Sequence, residues 1–233
     1  MEQGTRSTQA PIGLAERLAR YGAGSALASG ILAALSAVFL VLFYAFEAPA
    51  ILESGDTNAF APAGRTNDAL LGLAALAAIP AAFRLHQSWR MKTGRSSTAS
   101  TASLALGVTS MIGLGIFLLL FAVGLISAKA SGFSTIGLGG LGLWVLLVSA
   151  GRADNALRGR LRWIGIVTGI GNLLLAAAFV GAGGTEAVDD PEAVFRMPLL
   201  LVGFLAGVIA SEIGYPIWAI WLGRRLRAMN AAA

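Results

Sequence analysis

Residues 103–128 read SLALGVTSMIGLGIFLLLFAVGLISA, a stretch without one charged side chain. An α-helix rises 1.5 Å per residue, so about 20 residues cross a hydrocarbon core of about 30 Å. This stretch exceeds that length and predicts a membrane-spanning helix. Working outward, five more apolar stretches predict helices at about 23–46, 68–89, 134–151, 163–183 and 198–222. The reading is all-α: a polytopic membrane protein built as a six-helix bundle.

The basic residues between these stretches set the orientation. All but three of the 17 Lys and Arg fall in segments 1–23, 84–102, 151–162 and 223–233. The other three, Arg65, Lys129 and Arg196, lie in the intervening segments with most of the acids. Basic residues accumulate on the cytoplasmic side, so both termini are expected inside. The expected organisation is a cytoplasmic segment 1–22, one membrane domain 23–222 and a basic tail 223–233. Abundant Ala and Gly, with Arg well above Lys, fit a bacterial source, and the expected location is the inner membrane.

A 56% hydrophobic fraction with 12% charged residues excludes an ordinary soluble domain, in which about a quarter of residues are charged. The net charge of +5 sits at helix ends and does not indicate nucleic acid. There is no cysteine, hence no disulfide, thiol nucleophile or thiolate metal site. Arg17 and Arg20 precede the first helix, and Ala48-Pro49-Ala50 resembles a cleavage site. The apolar run is longer than a signal-peptide core, so an uncleaved anchor is expected.

Segment 47–67, with Pro49 and Pro62, reads as an irregular outer loop, and 94–103, GRSSTASTAS, as a flexible linker. Pro80 predicts a kink in the second helix. Small residues repeat at close-packing intervals: Ser25, Ser29, Ala33 and Ala37; Gly165 and Gly169; Gly203, Gly207 and Ser211. In lipid such stripes let backbones approach closely. They fit packing within the bundle first, and a membrane-protein partner or a second copy of the chain otherwise. Gly137-Leu138-Gly139-Gly140-Leu141-Gly142 matches a dinucleotide-binding string but lacks the preceding strand, so it reads as helix packing.

Glu212 is the acid placed deepest in an apolar stretch. It lies ten residues before Leu222, roughly 15 Å from that helix end and close to the midplane. A charge there costs about 2.5–3.5 kcal/mol, so such groups face a cavity or a partner. Asn172 lies at nearly the same depth in the fifth helix and is expected to hydrogen-bond Glu212. Tyr215 shares the face of Glu212, and Pro216 frees the Glu212 carbonyl. Glu212, Asn172 and Tyr215 are the candidate binding residues, with either a proton- or cation-coupled role or a role as interhelical glue.

Other residues carry less. His86, the single histidine, reads as an interfacial polar residue. Lys92 and Lys129 lie near helix ends, unsuited to a buried Schiff base. The acids from Glu186 to Glu192 lack calcium-loop spacing. No catalytic residue, metal ligand set or cofactor is expected, and the leaning is against an enzyme.

Asn67-Asp68, the run Arg160-Leu161-Arg162-Trp163-Ile164-Gly165, and Tyr215-Pro216-Ile217-Trp218 followed by Gly223-Arg224-Arg225 resemble a broad group of uncharacterised six-helix bacterial integral membrane proteins. The resemblance implies a fold and no activity. The leading expectation is an accessory, structural or regulatory membrane protein in contact with lipid. The alternative is a small transporter or channel with a polar site around Glu212. The third is an intramembrane enzyme acting on lipid or quinone.

Overall fold

The computed structural model of the chain describes residues 13–54, 60–93, 98–151, 155–185 and 198–231. Every regular element among them is helical. Six helices are long and apolar enough to cross a membrane: Gly22–Ile51, Pro62–Met91, Thr98–Ala122, Ala128–Ala150, Arg160–Gly181 and Leu200–Ala231. They are called the first to sixth spans below. This composition and length mark a multi-pass membrane protein.

Each span packs on the next in sequence, and the sixth closes against the first. The result is a ring of six helices. Its interior is filled by Met111, Leu114, Leu141, Trp144, Trp218 and Leu222, all nearly or fully buried. Trp144 and Trp218 meet edge to face at 5.8 Å, joining the fourth and sixth spans across the ring.

Helix boundaries differ from the sequence reading by one to two turns, for local reasons. The second span begins at Pro62 rather than near Asp68, because Pro62 takes the first helical turn, where a missing N–H costs nothing. Both carboxylate oxygens of Glu47 accept from the N–H groups of Ala63 and Gly64, at 2.8 and 3.1 Å, and cap that helix start. The expected outer loop 47–67 is therefore helical at both ends, with 55–59 outside the described residues. Likewise the third span starts at Thr98, inside the expected linker 94–103, with Ser100 and Ser103 buried. It stops at Ala122 because Gly124, at φ 78°, turns the chain. The N–H groups of Gly124 and Leu125 then bond the carbonyls of Phe121 and Leu120, which satisfies the helix end. The expected tail 223–233 is a helical continuation to Ala231 that buries Gly223 and Leu226.

Prolines shape three of the spans. Pro80 removes a donor, and the second span breaks at Ala78 between Pro62–Ala77 and Ile79–Thr93, as its position predicts. Two other helices respond with a π-helical turn, in which bonds run from i to i+5. These turns are Phe43–Glu47 and Ala210–Gly214. Each ends two residues before a proline, Pro49 and Pro216 respectively. Both lie beside the same polar cluster.

Candidate functional site

The cluster sits where the first, second and sixth spans meet. Seven-residue spacing on the first span puts Ser29 and Ser36 two turns apart on its buried face, with Ala33 between them and all three fully buried. Asn67, in the second turn of the second span, is also buried. The Ser36 hydroxyl donates to Asn67 Oδ1 at 2.8 Å and lies 3.4 Å from Glu212 Oε2. Asn67 Nδ2 donates to Asp68 Oδ1 at 3.3 Å. Four side chains from three helices thus form one chain: Asp68, Asn67, Ser36, Glu212.

A second link lies one turn along. Tyr215 and Ser29 share a 2.7 Å hydrogen bond, buried between the sixth and first spans. Glu212 and Tyr215 do not bond a common partner; each reaches a different serine of the first span. Electrostatically, Glu212 senses Asp68, and Tyr44 in the first π-helical turn senses Glu212. Phe43, its neighbour in that turn, stacks its ring against Gly64, where a Cβ would come within 2.8 Å. Gly64 therefore lets the π turn seat directly on the second span.

Asn172 is placed elsewhere. The face of the fifth span that carries Thr168, Gly171 and Leu175 meets the sixth span, whereas Asn172 points at Gly142 and Gly169 packs on the Gly142 carbonyl. Asn172 is fully buried, and neither its amide oxygen nor its amide nitrogen has a partner. The expected Asn172–Glu212 hydrogen bond is therefore not formed. The two residues share a depth but sit on different seams, and depth alone does not fix helix rotation.

The small-residue stripes of the fifth and sixth spans pack inside the ring, and on the first span Ser29 and Ala33 are buried while Ser25 and Ala37 stay partly exposed. A Cβ on Gly169 would lie 2.6 Å from the Gly142 carbonyl, and one on Gly203 3.0 Å from the Leu174 carbonyl. The nucleotide-like glycine string lies within the helix Phe133–Ala150, its Gly139 against Ala176 and its Gly142 against Asn172. It is helix packing.

His86, partly exposed near the end of the second span, shares a 2.8 Å hydrogen bond between its Nδ1 and the Ser100 hydroxyl, next to Trp89 and Leu104. The adjoining cavity, bordered also by Ser103 and Trp144, has room for about one water. No substrate fits beside that Ser–His pair, which ties the second span to the third. Among the described residues, no group of three or more His, Asp or Glu could hold a metal ion. The acids Glu186, Asp189, Asp190 and Glu192 lie outside the described residues.

No protein-family model matches the sequence, and no match was found among curated proteins or solved structures. The chemistry of the site therefore rests on its own geometry.

Sequence reading reached Glu212 and Tyr215 and missed Ser36, Asn67 and Asp68 as site residues. Asn67-Asp68 was visible only as a helix opening. Its signal is Pro62, which starts the helix early enough to carry both residues into the bundle.

Proposed function

We propose that the chain is a small transporter of the bacterial inner membrane, with both termini in the cytoplasm, that carries protons through the seam between its first, second and sixth spans. The observation that carries this reading is the Ser36 junction, which links Asn67 of one helix to Glu212 of another within helices apolar enough to lie in lipid. Two carboxyls in such a place are costly unless they serve a path or a partner.

Tyr215 lies three residues beyond Glu212 on the sixth span, and Ser29 seven before Ser36 on the antiparallel first span. The Tyr215–Ser29 bond therefore lies nearer the proposed inner side than the Ser36 junction does. The two π-helical turns add to the case, because such turns concentrate at functional sites. Internal use of the small-residue stripes of the fifth and sixth spans weakens the accessory-protein reading, which draws on an open stripe.

Acid influx into proteoliposomes carrying an internal pH dye tests the reading. Wild-type protein is expected to collapse an imposed pH gradient faster than protein-free vesicles do. Glu212→Gln, purified as a monodisperse protein, is expected to fall to the protein-free rate. Wild-type protein no faster than empty vesicles, with the gradient imposed in either direction, overturns it.

A further inference from the structure

The run Arg160-Leu161-Arg162-Trp163-Ile164-Gly165 opens the fifth span and takes no part in the proton path. Trp163, Val167, Ile170 and Leu174 follow one another at three- and four-residue steps and so share a helix face. All four are exposed, Trp163 by 64% and Val167 by 66%. Arg160, also exposed, continues that face one turn before Trp163, and Arg162 flanks Trp163 on the other side. From Trp163 to Leu174 the stripe rises roughly 16 Å, about half of a hydrocarbon core of about 30 Å. It matches one leaflet.

Positive charge gathers at the head of this stripe, and no described carboxylate offsets it. Neither segment that meets here, 155–185 of the fifth span or 215–231 of the sixth, contains Asp or Glu. Arg225 is already engaged. Its Nη1 donates to the carbonyls of Ala156 and Arg158 at 3.1 and 2.8 Å, and its guanidinium lies 5.6 Å from the Trp221 ring. That contact ties the turn Asn155–Leu157 to the sixth span, with Ala156 and Leu157 buried beneath it. The side chains of Arg158, Arg160 and Arg162 are different: among the described residues they bond no acceptor. Arg162 Nε is even closed to solvent without a partner, a costly state for a donor. This end of the helix is short of acceptor oxygens.

We infer that the start of the fifth span binds an anionic phospholipid, with the headgroup phosphate taken by Arg158, Arg160 and Arg162 and an acyl chain laid along Trp163, Val167 and Ile170. Guanidinium forks match phosphate oxygens in pairs. Helical side chains lean towards the N-terminus of their helix, so Arg160 and Arg162 reach past Trp163 to headgroup level. A tryptophan ring sits at the membrane–water interface, between the chain and the phosphate. A free anion would make no use of the apolar stripe, and for that reason the ligand is a lipid. In a zwitterionic headgroup the amine offsets the phosphate, whereas three unpaired arginines favour a headgroup with net negative charge. The site shares no residue with the chain from Asp68 to Glu212, so it stands or falls apart from the proton path.

Native mass spectrometry of the full chain tests the site. The protein is reconstituted in nanodiscs of equal parts phosphatidylglycerol and phosphatidylcholine, and the lipid that stays bound on release is counted. Wild type is expected to retain phosphatidylglycerol in preference to phosphatidylcholine. Arg160→Gln combined with Arg162→Gln is expected to weaken that retention by about fivefold for each arginine removed. Arg17→Gln combined with Arg20→Gln takes the same charge from the exposed helix before the first span and is expected to keep the lipid. Equal retention of the two lipids by wild type overturns the inference and needs no variant to fold. So does undiminished retention in the Arg160 and Arg162 variant, or an equal loss in both double variants, which would make the preference a matter of net charge. Inorganic phosphate added during release is expected to leave the lipid in place; its displacement of phosphatidylglycerol at matched concentration would make free phosphate the ligand and overturn the lipid.

Discussion

The seam of the first, second and sixth spans and the seam of the fourth and fifth both bury amides, with opposite consequences. Asn67 is held by a serine on one side and a carboxyl on the other, so both ends of its amide are bonded. Asn172 is buried just as deeply, yet both its amide atoms lack partners among glycines and apolar chains. One seam is a connected polar chain that runs between two carboxyls. The other is a close-packed contact where the backbones of Gly142 and Gly169 nearly touch and an amide merely fills space. In lipid, depth and polarity do not make a site; connection to a titratable partner does.

Breaking each seam separates these roles, and the largest effect is expected on function. Ser36→Ala severs the one junction between Asn67 and Glu212 and removes little volume. Acid flux in proteoliposomes is expected to drop to the rate of protein-free vesicles, while the thermal midpoint in detergent stays close to wild type. The next effect falls on stability alone. Gly169→Leu drives a side chain into the Gly142 carbonyl and Leu146, where backbone must yield; a loss of about 3 kcal/mol is expected, at the upper end of ordinary overpacking costs. Thermal denaturation in detergent checks it.

Asn172→Leu sharpens the contrast. It exchanges an unpartnered amide for an apolar chain of similar size, and a buried polar group without a bond costs about 1–3 kcal/mol. A gain of about 1 kcal/mol is expected, seen as a raised thermal midpoint with flux unchanged. The smallest effect is Tyr215→Phe, which removes the hydrogen bond to Ser29. Such bonds between membrane helices average about 0.6 kcal/mol, so the midpoint is expected to fall slightly.

Much of the architecture was legible in the residues. The number of spans followed from apolar length alone, and the kink followed from Pro80. Span ends were less legible, because Ser, Thr, Asn and Asp near helix starts resemble loops. Thr98–Ser103 and Pro62–Asp68 are helical because packing against neighbouring spans covers Ser100, Ser103 and Asn67. That shift concealed half of the site, since Asp68 read as a helix end rather than a residue two turns inside one. Glu212 was legible because an acid in an apolar stretch has few innocent explanations. Ser36 was not, because serine is as common in packing stripes as in polar networks. The sequence reading followed the Ser25–Ser29–Ala33–Ala37 stripe, whereas the helix turns Ser29, Ala33 and Ser36 to the core. The pairing of Asn172 with Glu212 failed for the same reason: it required knowing how the fifth helix is rotated, which only the contacts of Gly142, Gly169 and Gly171 decide.

The most direct test compares acid flux through wild type, Glu212→Gln and Asn172→Leu reconstituted at equal density in the same lipid. Flux retained by wild type and Asn172→Leu and lost in Glu212→Gln is the predicted result. Flux lost in Asn172→Leu and retained in Glu212→Gln would contradict the account, moving the path to the seam of the fourth and fifth spans.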